Sequence, residues 1–332
     1  MTIEHGGALD RAMARFGGAR ADWLDLSTGI NPEAFSLPAI APEVWNRLPD
    51  EALLSRALAA ARGYYGVADE AAVIAAPGTQ ALIQIVPELG SPGEVAILSP
   101  TYQEHHAAFA RAGWRVLPCS DIGSIPETAK AAVVVNPNNP DGRVVPGDEI
   151  LALAQRLEAR GGFLVVDEAF ADASPEISVA ARAGGDNLIL LKSFGKFFGL
   201  AGLRLGFAIS SAAIAQKLAE RLGPWAVSGP ALAIAAHAFQ RGPVLDGFRA
   251  RLAVRRARLS TIFERTGIEE IGGTALFALI RHPDAHVLHD HMGRQHILVR
   301  KFDYAPDWLR IGLAVDEAGF ERLEQALTDA CR

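Results

Sequence analysis

Short apolar runs of strand length alternate with longer segments of helical periodicity through the first two thirds of the chain. The apolar runs occupy residues 72–75, 95–98, 131–135, 163–166, 188–191 and 205–209. Helical periodicity is clearest in residues 50–62, 79–89 and 147–160, several of which are bounded by Gly or Pro. Strands that are buried on both faces read as unbroken apolar runs. The alternation therefore predicts an α/β domain with a mostly parallel central sheet between helices.

The pattern changes after about residue 240. Residues 248–263 predict one long helix, in which an apolar stripe lies beneath many arginines. Strand-like runs follow at residues 276–280, 297–300 and 308–313, and a last helical segment follows at 316–331. We therefore predict an N-terminal arm over residues 1–35, a large domain over 36–240 and a small α+β domain over 241–332.

Composition and charge narrow the class of partner. The 332 residues are 50% hydrophobic and carry a net charge of −6, so nothing global favours nucleic acid or an anionic membrane surface. The arginines of residues 248–263 fit a packed helix with solvated guanidinium groups better than a nucleic-acid site. Prolines and glycines interrupt the uncharged stretch 222–240, so we predict no membrane span. A small molecule is the partner that this composition favours.

Cysteine usage and the N-terminus both favour a cytoplasmic protein. Cys119 and Cys331 are too few for a disulfide framework. The first eighteen residues mix acidic and basic side chains and lack the continuous apolar stretch of a secretory signal.

A cluster of histidines raises the question of a metal site. Five of the nine histidines fall between His282 and His296. Their spacing matches no standard zinc signature and no cysteine lies nearby, so we predict no metal.

One of the five lysines has an unusual setting. Lys196 lies among Phe194, Phe197 and Phe198, and partial desolvation of its amine would favour the neutral, nucleophilic form. A loop lysine whose stem covers apolar surface explains this segment equally well. The other four have settings that we interpret as ordinary: Lys130, Lys192, Lys217 and Lys301.

Carboxylates and amides follow two of the predicted strands. Asp167 and Glu168 end the apolar run 163–166, and ligands of open α/β sheets bind at the carboxyl ends of strands. A buried carboxylate there needs a cationic partner. The segment N-P-N-N-P-D-G, residues 136–142, follows another strand, although its composition is also that of an ordinary tight turn.

These motifs together resemble a known family. S-F-G-K-F-F-G-L-A-G-L-R at 193–204, D-E-A-F at 167–170 and N-P-N-N-P-D-G at 136–142 are similar, in order and spacing, to fold-type I pyridoxal-phosphate enzymes of the histidinol-phosphate aminotransferase branch. The resemblance covers residues 20–315 or so. It implies that the large domain is a pyridoxal-phosphate-dependent transferase domain, that the cofactor is pyridoxal 5'-phosphate, and that the protein is a homodimer.

The resemblance also implies roles for individual residues. Lys196 would hold the cofactor aldehyde as a Schiff base, and Asp167 would pair with the pyridine nitrogen. Tyr102 would stack on the ring, and Asn139 would donate a hydrogen bond to the phenolic oxygen. The cofactor phosphate would be held at a helix start with cationic support, by Gly78, Thr79, Ser193 and Arg204.

The ends of the chain carry the candidate substrate contacts. Arg310 would bind the substrate carboxylate, with Arg300 close by or directed to solvent. The segments H-G-G at 5–7 and L-D-L-S-T-G-I-N-P at 24–32 resemble the family of L-threonine-O-3-phosphate decarboxylases of cobalamin biosynthesis. The substrate would then be a small phosphorylated amino acid, whose phosphate needs cationic or amide donors, and His5 and the backbone of Gly6 and Gly7 are our candidates. Asn31 is a further candidate substrate contact. A flexible tail explains residues 5–7 nearly as well.

Two other functions stay open at this point, namely a histidinol-phosphate-type aminotransferase and a non-catalytic ligand-binding module. Three positions depart from the aminotransferase pattern. Phe170 stands in place of a frequent tyrosine, Gly195 in place of a frequent serine, and Leu48 where a tyrosine often reaches the phosphate in the neighbouring subunit. Leu48 puts that one contact between subunits in doubt.

Overall fold

The structure is a computed structural model that describes residues 5–185 and 187–330. The chain forms two compact units. The large unit comprises residues 34–139 and 144–246, and the small unit comprises the chain up to residue 33, residues 140–143 and the chain from residue 247. The domain boundaries at residues 35 and 240 stay predictions, and Cys331 lies outside the described residues.

The described residues form the following strands and helices, numbered in chain order. The strands are β1 (Leu24–Asp25), β2 (Ala71–Ala76), β3 (Glu94–Leu98), β4 (Arg115–Cys119), β5 (Ala129–Val135), β6 (Phe163–Asp167), β7 (Leu188–Ser193), β8 (Gly206–Ser211), β9 (Glu269–Thr274), β10 (Phe277–Arg281), β11 (Ile297–Leu298), β12 (Arg300–Phe302) and β13 (Ala305–Gly312). The helices are α1 (Leu9–Phe16), α2 (Pro42–Asn46), α3 (Glu51–Tyr65), α4 (Thr79–Ile85), α5 (Gln103–Arg111), α6 (Gly147–Glu158), α7 (Phe194–Phe197), α8 (Ala212–Leu222), α9 (Gly229–Ala238), α10 (Gly242–Thr266), α11 (Ala285–Arg294) and α12 (Glu317–Ala330).

A seven-stranded sheet organises the large unit, in the order β2-β8-β7-β6-β5-β3-β4. The strands from β7 to β4 are parallel, and β8 runs antiparallel to both β2 and β7. Val133, Val165 and Ile189 on the three central strands are fully buried, as unbroken apolar runs require. The prediction of an α/β fold with a mostly parallel sheet is confirmed.

Local sequence signals mark where several helices of the large unit begin and end. The Asp50 carboxylate accepts a hydrogen bond from the backbone N–H of Leu53 at 2.7 Å and so caps α3. Gly66 ends the same helix with φ near +60°, a left-handed conformation that favours glycine. The hydroxyls of Ser211 and Ser228 cap α8 and α9.

An antiparallel sheet in the order β12-β13-β10-β9 organises the small unit, and β1 pairs with β11 in parallel. Many arginines of α10 are held in ion pairs, because Arg251 and Arg255 contact Glu33, and Arg258 contacts Glu317 and Glu324. Among the described residues, no helix combines the length and apolar character needed to cross a bilayer.

Candidate active site

The predicted cofactor residues of the large unit lie at one edge of its sheet, where several strands end. Ala76, Gly206 and Ser193 lie side by side in the register of β2, β8 and β7. Asp167 and Leu191 are paired partners on β6 and β7. The carboxyl ends of β2, β6 and β7 therefore meet the start of β8 at the same edge, and the loops that follow these ends carry the predicted cofactor residues.

Asp167 is a buried carboxylate with a defined orientation. One carboxylate oxygen accepts a hydrogen bond from the backbone N–H of Ala169 at 3.0 Å, and the other lies 2.9 Å from Nε2 of His105. Both Asp167 and His105 are at most 3% exposed. Because an ionised carboxylate only accepts hydrogen bonds, the His105 ring donates from Nε2. His105 is the cationic or donor partner that a buried Asp167 requires.

Lys196 lies on α7, directly after β7. Its ammonium group is 5.7 Å from the centroid of the Phe170 ring. Phe194, Phe197 and Phe198, its neighbours along the chain, are fully buried. Gly195 has no room for the frequent serine, because a Cβ at this position would lie 2.8 Å from Cα of Ala201.

An anion cradle lies where β2 ends and β8 begins. Gly78 has φ near +82° and precedes Thr79, the first residue of α4. A Cβ at Gly78 would lie 2.9 Å from Nη2 of Arg204, so only glycine lets the guanidinium lie against this loop. Arg204 itself has φ near +50°, an unfavourable conformation for a side-chain-bearing residue that often marks a functional site. A guanidinium beside the backbone N–H groups of a helix start fits a phosphate.

Tyr102 and the turn after β5 lie beside this edge. The Tyr102 hydroxyl donates a hydrogen bond to Oε1 of Gln80 at 3.2 Å, and its ring packs edge-on against that of His105. Asn138 is buried and donates to the carbonyl of Pro100 at 2.9 Å, whereas Asn139 is half-buried. The structure thus gives Asn138 a role within the turn and leaves Asn139 as the candidate for the phenolic oxygen.

Two arginines of the small unit face each other across a strand pair. Arg310 on β13 and Arg300 on β12 are directly opposite partners. The Arg310 side chain is buried, donates to the carbonyl of Ser27 at 2.9 Å and lies over the Phe277 ring. Burial raises the pKa of the Tyr304 hydroxyl to about 12, and the charges of Arg300 and Arg310 oppose that rise. Like charges directly opposite one another are unfavourable, and a bound anion would offset this cost.

The first described residues pack against Ser27 as well. The backbone N–H of Gly7 donates to the Ser27 hydroxyl at 2.7 Å, and a Cβ at Gly6 would collide with the Ser27 carbonyl. The H-G-G segment therefore has a defined position beside the residue that holds Arg310. Asn31 is also buried, and its side-chain oxygen accepts from the backbone N–H of Glu33 at 3.0 Å.

A small cation-lined cavity of about 90 Å³ adjoins Ser27. Its charged or titratable lining residues are His5, Arg11, Arg15, His289, Arg300 and Lys301. Burial lowers the pKa of the His289 ring, and the charges of Lys301 and Arg15 lower it further against the opposing effect of Asp290. His289 therefore adds no positive charge to the cavity at neutral pH.

Sequence reasoning missed some residues of these sites and misjudged one. His105 gave no signal, since histidine at this spacing fits no known motif. Our interpretation of Lys192 as an ordinary strand-end lysine is wrong, because the side chain is buried and paired with Glu168. Among residues 5–185 and 187–330, no group of three or more His, Cys, Asp or Glu side chains forms a potential metal site.

Comparison with known proteins assigns the family. The family model described as Aminotransferase class I and II matches residues 31–327. The chain is 47% identical to the threonine-phosphate decarboxylase of Sinorhizobium sp., over 98% of this chain and 97% of that protein. It is 45% identical to the protein of the same name from Pseudomonas aeruginosa, with the same coverage. The fold matches the histidinol-phosphate aminotransferase from Sinorhizobium meliloti in complex with pyridoxal-5'-phosphate, at a TM-score of 0.85 and 20% identity over 100% of this chain and 95% of that chain. This chain belongs to the class I and II aminotransferase family.

Proposed function

We propose that this chain is a pyridoxal-phosphate-dependent decarboxylase of L-threonine O-3-phosphate, which forms (R)-1-aminopropan-2-yl phosphate and CO2 in cobalamin biosynthesis. The proposal is supported above all by two cationic features of the small unit, the buried Arg310 guanidinium and the cation-lined cavity. Arg310 and the cation-lined cavity share Ser27, so one small molecule with a carboxylate and a phosphate matches both. The names of the two relatives at 45–47% identity support this substrate.

The residues of the large unit fit pyridoxal phosphate. The cradle beside Arg204 suits its phosphate. Glycine is needed at position 78, because a side chain there would collide with the Arg204 guanidinium. When bound, the cofactor supplies an aldehyde that bonds to the substrate amine and a ring that accepts the electron pair released from the substrate carbon. Lys196 would hold the aldehyde covalently, and Asp167 would keep a proton at the pyridine nitrogen.

The remaining residues of this edge orient the cofactor. Thr79 and Ser193 would add hydrogen bonds to its phosphate. Tyr102 would lie against the ring and Asn139 would donate to the phenolic oxygen. Phe170 has no hydroxyl to donate, so the bond that aminotransferases of this branch usually have there is missing.

Replacement of Gly78 by alanine should weaken cofactor binding about tenfold or more, because the added methyl group displaces the Arg204 guanidinium and strains a backbone with positive φ. The affinity is measured by titrating the apoprotein with pyridoxal phosphate. Gly66→Ala is the matched control, since this glycine also has positive φ but faces open space. Equal cofactor affinities for the two variants would contradict the cradle.

The small unit would select and orient the substrate. The planar guanidinium of Arg310 binds a carboxylate at two points and so orients the bond between the α-carbon and that carboxylate. This bond breaks, CO2 leaves, and a proton takes its place on the same carbon. The H-G-G segment and Asn31 are proposed to complete the site, with His5 and Arg300 at the phosphate.

Replacement of Arg300 by methionine should raise KM for threonine phosphate about tenfold or more, with a smaller change in kcat, because a charge-assisted hydrogen bond to the phosphate contributes roughly 1.5–3 kcal/mol. Steady-state assays of CO2 release measure both constants. Arg281→Met is the control, since Arg281 is an exposed arginine that pairs with Glu269 and Asp307. An unchanged KM in Arg300→Met would remove Arg300 from the phosphate site.

A two-substrate assay tests the proposed function. Threonine phosphate alone should release CO2 without a keto-acid acceptor, and histidinol phosphate with 2-oxoglutarate should give little glutamate. Efficient transamination without CO2 release would make the chain an aminotransferase instead.

The proposed assembly is a homodimer. The large unit exposes Trp45, Leu48 and Trp225, each by 60% or more, and large apolar side chains at this exposure fit a covered surface. Sedimentation equilibrium should give twice the mass of one chain. The cytoplasmic location stays a prediction.

A further inference from the structure

A lysine and a glutamate form a buried ion pair behind the cofactor edge of the large sheet. Glu168 is 0% exposed and Lys192 is 2% exposed, and their charged groups are in direct contact. The pair is also hydrogen bonded to its surroundings. The Lys192 ammonium donates to the Ser178 hydroxyl at 2.9 Å, and that hydroxyl donates to Glu168 at 2.6 Å. The other Glu168 oxygen accepts from the backbone N–H of Val179 at 2.9 Å.

Strand geometry places this pair opposite the proposed cofactor residues. Asp167 pairs with Leu191 in the register of β6 and β7, so Glu168 and Lys192 follow side by side. Successive side chains of a strand point to opposite faces. Lys192 therefore lies on the face opposite Ser193, and its contact with Glu168 brings that carboxylate to the same face. The ion pair joins the two strand ends from behind.

The pair lies beside the buried Tyr65 side chain. The Lys192 ammonium lies 4.8 Å from the centroid of the Tyr65 ring. Burial raises the pKa of the Tyr65 hydroxyl well above its usual value, and the charge of Asp172 adds to this effect. In a buried environment, a charge that loses its partner strongly destabilises the protein. Removal of only one of the two charged groups is therefore expected to be costly.

A buried ion pair contributes little net stability compared with a well-packed apolar pair, because desolvation of the two charges offsets their attraction. Such a pair instead imposes a defined geometry, because its charges and hydrogen bonds are satisfied together in only one arrangement of the two strand ends.

We infer that Lys192 and Glu168 are positioning residues, which hold the ends of β6 and β7 in the arrangement that aligns Asp167 with the cofactor bound at Lys196. The inference rests on the proposed cofactor site. Neither residue touches the reacting atoms, and each acts through the strand end that carries it.

The experiment uses the full-length holoenzyme of the double variant Lys192→Met/Glu168→Gln, which removes both charges together and keeps side chains of similar size. Its thermal unfolding midpoint as apoprotein should stay within a few degrees of the wild type. Dissociation of pyridoxal phosphate should be about tenfold faster, because small displacements of binding groups have large effects. The pH midpoint of the visible cofactor band should also shift. If the pH midpoint of the visible band and the rate of pyridoxal phosphate dissociation are both unchanged in the double variant, the inference is overturned.

Two further variants complete the test. Glu168→Asp retains both charges but shortens the link, and by itself it should shift the pH midpoint of the visible band and speed the dissociation of pyridoxal phosphate, so the inference can be tested even if the double variant fails to fold. Glu270→Gln breaks the ion pair with Arg256 in the small unit, and it should change stability without moving the band. A wild-type protein without a visible band would refute the cofactor site itself, an outcome separate from a band that the variants leave unchanged.

Discussion

Replacement of Lys196 by alanine is expected to lower CO2 release from threonine phosphate about a thousandfold or more and to abolish the visible band of the purified protein. The physical reason is that no other amine is proposed to bond to the cofactor aldehyde, and loss of a covalent catalytic group usually costs at least this factor. Absorbance spectra and initial rates of CO2 release measure the two effects.

Lys217→Ala is the control for this variant, because Lys217 is an exposed lysine on α8. It should leave band and rate unchanged. A Lys196→Ala protein that keeps the band at the wild-type wavelength and intensity would show that another amine carries the cofactor.

Replacement of Asp167 by asparagine is expected to lower kcat about a hundredfold to a thousandfold, the range found when one preorganised electrostatic group is removed. A neutral amide does not hold a proton at the pyridine nitrogen, and the ring then accepts electrons from the substrate carbon less readily. Single-turnover measurements with threonine phosphate separate this chemical effect from weaker cofactor binding.

Asp50→Asn is the control, because Asp50 belongs to the same unit and its carboxylate caps α3. It should leave kcat nearly unchanged, since asparagine caps a helix about as well as aspartate. If both variants lose activity equally, Asp167 has only a structural role.

The large sheet was predictable because its central strands are apolar on both faces. The runs 131–135, 163–166 and 188–191 correspond to β5, β6 and β7 almost residue for residue. Strand β9 was not predicted. It contains Gly272 and Gly273 and no apolar run, and it forms because glycine permits the close approach of a neighbouring backbone.

The cofactor residues were predictable where the chemistry depends on short motifs. Lys196, Asp167 and Arg204 each stand in a motif of distinctive spacing, whereas His105 is brought to Asp167 from 62 residues away by the packing of α5. Lys192 looked ordinary because its partner, Glu168, directly follows a neighbouring strand. Such pairings depend on strand register, which the local pattern of residue types does not specify.

In the cation-lined cavity, too, packing brings together residues that no short motif connects. His5 and Arg300 were predicted as separate contacts, but Arg11, Arg15, His289 and Lys301 were not, because helices and strands distant in sequence bring them together. No local pattern records a cavity that forms between α1, α11 and β12.

Trapping of the covalent bond to the cofactor shows directly which lysine of the protein carries pyridoxal phosphate. The purified protein is reduced with borohydride, digested, and analysed by peptide mass spectrometry. We expect a pyridoxyl-phosphate adduct on the peptide that contains Lys196, and we expect it to be lost in Lys196→Ala. An adduct on Lys130, Lys192, Lys217 or Lys301 instead, or none on a protein that releases CO2 from threonine phosphate, would contradict this expectation.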